Sequence, residues 1–124
     1  MEGDLRAYLT RMAEALSDPK RARTVSGLMA EAQTDEAFAE AFRDRFLEPK
    51  RQAVRAVFER GKARGELPDL ADANLLTDLV YGPIWYRLLV GHAPLDEGFV
   101  EALITSVLAA ARSPRCQLGG PLKK

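Results

Sequence analysis

With 124 residues, 47% of them apolar, the chain is long enough for one domain with a real core and too apolar to be disordered. Its 18 Lys and Arg balance 18 Asp and Glu, so bulk charge directs it to neither nucleic acid nor a membrane surface. The single cysteine, Cys116, excludes an intrachain disulfide and leaves a metal site without a second thiol, which makes a reducing cytoplasm the expected compartment.

The N-terminus, Met1-Glu2-Gly3-Asp4-Leu5, has neither the basic start nor the apolar run of a signal peptide. From Asp4 to Leu16, the residues Leu5, Tyr8, Leu9, Met12 and Leu16 form one helical stripe, the pattern of a one-sided surface helix. Asp18-Pro19 interrupts it, because a residue before proline is driven out of the helical region. A weaker helix is expected from about Lys20 to Gln33 on Val25, Leu28, Met29 and Ala32, with Gly27 inside it.

Thr34-Asp35-Glu36 reads as a helix start, and the helix that follows is the longest in the chain. Phe38, Phe42 and Phe46 repeat every fourth residue, and Val54, Val57 and Phe58 continue the apolar face past Pro49, where a kink or a split is expected. Arg64-Gly65-Glu66-Leu67-Pro68 supplies a basic last turn, a left-handed cap and a proline stop.

A helix from about Asp72 to Gly91 comes next. It holds the sole Trp and is apolar on every side: Leu75, Leu79, Gly82, Tyr86 and Leu89 on one face, Leu76, Val80 and Ile84 on a second, Tyr81, Trp85 and Leu88 on a third. Such a helix should be covered on every side, and a domain this small needs a partner chain to cover it. The run is too short to span a bilayer, which takes about 20 apolar residues. Gly82-Pro83 should bend it locally.

Asp96 caps the last helix, with Leu95 placed to staple onto Val100. Phe99, Val100, Leu103, Ile104, Val107 and Leu108 form its stripe, while Ala102, Ser106 and Ala109 keep the neighbouring face narrow enough for close helix approach. Residues 1–112 should thus form an all-α, five-helix domain, and 113–124 a disordered tail.

Catalytic chemistry has no foothold here. His92, the only histidine, lies in the turn Gly91-His92-Ala93-Pro94, and no paired carboxylates, metal cluster or phosphate loop is visible. The basic excess from Arg43 to Arg64 reads as a solvated helix face with ion pairs at three- and four-residue spacing. The aromatic side chains are more informative: most are expected to pack as core, while large rings facing one another between helices can leave a pocket, which Tyr81 and Trp85 would line.

The run from Leu28 to Arg51, with Glu59-Arg60-Gly61-Lys62-Ala63-Arg64-Gly65-Glu66-Leu67, Gly82-Pro83-Ile84-Trp85-Tyr86-Arg87-Leu88-Leu89-Val90 and Pro94-Leu95-Asp96-Glu97-Gly98-Phe99-Val100, resembles the ligand-binding half of tetracycline-repressor-type (TetR) transcriptional regulators. The likeness covers about residues 4 to 112 and rests on the order and spacing of these pieces. It implies a non-enzymatic homodimer whose last two helices form an intersubunit four-helix bundle, and a pocket for a small apolar or aromatic effector. Met29, Phe42, Phe46, Phe58, Tyr81 and Trp85 are the expected ligand-binding residues. Leu76, Val80, Ile84, Phe99, Val100, Leu103 and Val107 are expected at the dimer interface. No cofactor, metal or membrane is implied. The family's helix-turn-helix domain would precede Met1, so DNA contact is expected only through a domain absent from this chain. A dimerising interaction module without a small ligand is the alternative.

Overall fold

The computed structural model describes residues 1–114, so the expected tail lies outside the described residues from 115 onward. Six α-helical segments follow in order: α1 Glu2–Leu16, α2 Pro19–Ala32, α3 Glu36–Phe42, α4 Glu48–Ala63, α5 Ala73–Val90 and α6 Glu97–Ala111. A π-helical turn, Arg43–Leu47, joins α3 to α4 without a break, so the described residues form five rods, as the periodicity predicts. No strand occurs among the described residues.

The helix ends are written locally in the sequence. Carboxylates of Asp18, Asp35, Asp72 and Asp96 accept from the backbone N–H groups of Lys20, Phe38, Leu75 and Phe99 at 3.1, 3.0, 3.1 and 2.9 Å, satisfying donors that a helix start leaves unpaired. Pro19 occupies the first turn of α2, where its missing N–H costs nothing. Gly65 and Gly91, at φ +78° and +70°, take the left-handed conformation that closes α4 and α5.

Pro49 acts one turn earlier than expected. It offers no N–H to the Arg45 carbonyl and its ring crowds that group. The irregularity therefore falls at Arg43–Leu47, where the Glu48 N–H reaches back to the Arg43 carbonyl, five residues away, and the helix then continues through Pro49. In α5 the chain likewise passes Gly82-Pro83 without interruption.

Four helices share the core: α1 packs on α6 and α4, α4 on α5, and α5 on α6. Leu5, Leu9, Val54, Phe58, Leu76, Val80 and Ile104 are essentially inaccessible and belong to one continuous cluster. Fully burying each such side chain contributes about 1.5–3 kcal/mol. By contrast α2 buries no side chain completely; Val25 only packs against the edge of the core.

The residues expected at the interface are already packed inside the single chain. Leu76, Val80, Ile84, Phe99, Val100, Leu103 and Val107 are all at most 9% exposed within a single chain, because α1, α4, α5 and α6 close on one another and consume those faces. What stays uncovered on α5 is the other face: Leu75, Leu79, Tyr86, Leu89 and Val90, between 36% and 61% exposed.

The basic face of α4 is solvated as expected, but its partners lie mainly on other helices. Arg51 pairs with Asp78 at 2.6 Å and Arg60 with Asp4 at 3.5 Å, and only Lys62–Glu59 has the expected local spacing. These exposed pairs add little stability.

Candidate effector cleft

Between α1, the start of α2, the π turn and α5 lies a cleft of about 600 Å³. Its apolar wall is built from Tyr8 and Met12 of α1, Val25 of α2, Phe46 of the π turn and Trp85 of α5. The π turn positions Phe46: Phe38, Phe42 and Phe46 stack in sequence, with centroid separations of 6.1 and 5.0 Å, and the last ring reaches the opening. Lys50, one turn on, holds its ammonium 4.8 Å from the centre of the Phe46 ring. A cleft of this size, its surface largely apolar, suits a small organic molecule.

Behind Trp85, a relay of hydroxyl groups fixes the wall. The Tyr81 ring stacks on Trp85 at 5.6 Å, and its hydroxyl donates to the Lys50 carbonyl at 2.9 Å. Tyr81 has one proton and the carbonyl can only accept, so in the 2.9 Å contact between Tyr8 and Tyr81 it is Tyr8 that donates. Burial pushes the Tyr81 phenol far above its ordinary value of 10.0.

This relay predicts a stability effect with a defined pH window. Tyr81→Phe leaves the Lys50 carbonyl and the Tyr8 hydroxyl without their partner and should cost about 1–3 kcal/mol in urea denaturation at neutral pH. Because the folded-state value is raised, the tyrosine form is stabilising in full below the unfolded value near 10 and that stabilisation is lost as pH rises above it. The parent should therefore lose stability more steeply above pH 10 than the Phe variant, and equal slopes would contradict the relay.

Of the six residues expected to bind ligand, Phe46 and Trp85 line this cleft. Tyr81 supports it from behind and faces a smaller cavity of about 80 Å³ shared with Lys50 and Arg51. Phe42 is buried in the aromatic stack, Phe58 is at 0% exposure in the core, and Met29 sits half-buried on α2 away from the cleft wall. Sequence reasoning missed Tyr8, Met12 and Val25. The stripe of α1 carried the signal: Tyr8 and Met12, one turn apart, lie at its edge, where the surface of a helix turns from core to boundary.

A second surface lies outside the cleft. Pro83 and Arg87 of α5 face Gly98, Ala102 and Ser106 of α6 across a groove of about 490 Å³. Arg87 borders it, stacked 4.3 Å from the Phe99 ring centre and donating to the Pro94 carbonyl at 2.8 Å. His92 is exposed and meets Tyr86 edge-on at 5.2 Å; no group of three metal-ligating side chains occurs among the described residues. No helix among them is long and apolar enough to cross a membrane.

Comparison with known proteins agrees with this architecture. The chain is 30% identical over 110 residues to the uncharacterized HTH-type transcriptional regulator YdeS of Bacillus subtilis (strain 168), covering 89% of this chain and 55% of that protein. It is 23% identical over 108 residues to the uncharacterized HTH-type transcriptional regulator Rv1556 of Mycobacterium tuberculosis (strain ATCC 25618 / H37Rv), covering 86% and 54% respectively. The crystal structure of the TetR family transcription regulator SCO0332 superimposes with a TM-score of 0.79 at 28% identity, over 88% of this chain and 60% of that one. The chain thus spans little more than half the length of the curated relatives it matches. Residues 1–107 match the family model described as "Tetracyclin repressor-like, C-terminal domain", and the chain belongs to that family of transcriptional-regulator domains.

Proposed function

We propose that this chain is the effector-sensing and dimerising part of a transcriptional regulator, with operator contact left to a helix-turn-helix domain of the kind its relatives' names record. The observation that carries the sensing half is the cleft under α2. Phe46 and Trp85 both line it, and α2, which also lines it, is held by no fully buried side chain. A ligand filling it would gain apolar contacts with Phe46, Trp85 and Val25 and fix α2 in place.

The dimerising half rests on the uncovered apolar face of α5 beside the small-residue face of α6, where Gly98, Ala102 and Ser106 are all exposed. Two copies apposed through these faces would form a four-helix bundle with close backbone approach. α5 then carries Trp85 toward the effector and Tyr86, about 100° further round, toward the partner. One helix would report to both, and a ligand that fits one subunit arrangement better would shift the pair toward it. A module that only dimerises would need the α5 face and make no use of the cleft.

Hydrogen exchange separates the two readings. A compound that raises the melting temperature and quenches Trp85 should also slow exchange of the α2 amides, from Lys20 to Ala32, by about tenfold or more at saturation. Stabilising compounds that leave α2 exchange untouched would reject the cleft as the effector site.

A further inference from the structure

We propose that the effector is an amphipathic organic anion, its apolar body on Phe46 and Trp85 and its carboxylate-type head at a cationic rim. This rests on the reading of the cleft as the effector site.

In a chain with no net charge, four basic side chains, Arg11, Lys20, Arg21 and Lys50, line this one cleft beside a single acidic one, Asp18. Asp18 is already engaged, accepting from the Lys20 backbone N–H at 3.1 Å as the cap of α2. Arg11, Lys20 and Arg21 have no side-chain hydrogen bond or ion pair among the described residues, whereas Arg6, Arg51 and Arg60 on nearby faces each hold a carboxylate. Lys50 is held at the Phe46 ring, which puts a cation directly beside the apolar wall.

The neutral hydroxyl groups sharpen the preference. The Tyr8 proton is committed to Tyr81, and the Thr24 hydroxyl donates to the Lys20 carbonyl at 3.0 Å. Both therefore offer only lone pairs to the cleft, and apart from the Trp85 indole N–H the side-chain donors left for a ligand are carried by cations. A carboxylate gains charge-assisted hydrogen bonds from them, a neutral amide gains less, and an ammonium group meets four like charges.

Three probes with one body test this on the full chain: 6-phenylhexanoate, 6-phenylhexanamide and 6-phenylhexylammonium, titrated by Trp85 fluorescence at low and high salt. At low ionic strength the carboxylate should bind about tenfold tighter than the amide, with the ammonium weakest, and the gap should shrink at about 0.5 M salt because the rim is exposed to solvent. Converting both exposed arginines, Arg11→Gln with Arg21→Gln, should bring the carboxylate to about the affinity of the amide while weakening the amide far less, by about twofold at most. Equal binding of amide and carboxylate by the parent chain overturns the anion preference while leaving the cleft reading in place. Equal loss of both probes in the double variant overturns it too. If none of the three perturbs Trp85, the cleft reading falls and this inference with it.

Discussion

The parent chain is expected to sediment as a dimer at micromolar concentration, and Leu79→Glu as a folded monomer. Leu79 lies in the uncovered face of α5, so the isolated subunit can accept a glutamate there with its carboxylate in water. In a two-fold dimer the substitution appears twice, and each carboxylate would enter an apolar seam without a partner. At about 2–3 kcal/mol for each desolvated, unpaired group the dissociation constant should rise by about three to four orders of magnitude. The monomer should keep the parent's helical circular dichroism. Val80→Glu, one residue away, is expected to behave otherwise: Val80 is at 0% exposure among core residues of the same chain, so that variant should fail to fold rather than dissociate. A Leu79→Glu chain that remains dimeric would move the interface off α5.

The contrast between neighbouring positions also marks what the sequence could and could not specify. Helix ends were legible because they are local chemistry: an aspartate three residues before a free N–H, or a glycine where the backbone turns left-handed, acts through a few bonds. Apolar stripes on α1, α4 and α6 likewise announced the core. α5 was harder. Apolar residues cover it on all sides, so periodicity offered no reason to assign Leu76, Val80 and Ile84 to the partner rather than to the chain's own core. A finer signal was present: Leu75, Leu79, Gly82, Tyr86 and Leu89 are spaced four, three, four and three, the spacing of a seam between paired helices. The cleft was half legible. Phe46 and Trp85 stood out as aromatics on facing helices, whereas Tyr8 joins Tyr81 across 73 residues of sequence, a contact that only the packing of α1 against the rest creates. The rim was invisible for the same reason, since Arg11 and Lys50 come from different helices.

Phe58 and Phe46, both expected to bind ligand, should separate completely on truncation. Phe58 is fully buried in the main cluster among α1, α4, α5 and α6. Phe58→Ala removes a buried ring and leaves a cavity that these four helices can only partly close, which costs about 3–5 kcal/mol. For a domain of this size that lowers the melting temperature by about 10 °C or more, a large part of a typical domain's stability. Phe46 is half-buried on the cleft wall, and its loss leaves space that is already open to solvent. Phe46→Ala should therefore cost only about 1 kcal/mol in stability, while weakening an aromatic-bodied ligand by about tenfold as its stacking surface disappears. Melting curves and Trp85 titrations on the two variants make the distinction. A Phe58→Ala chain that melts like the parent would contradict its place in the core, and a Phe46→Ala chain that binds such a ligand undiminished would take the π turn out of the effector site.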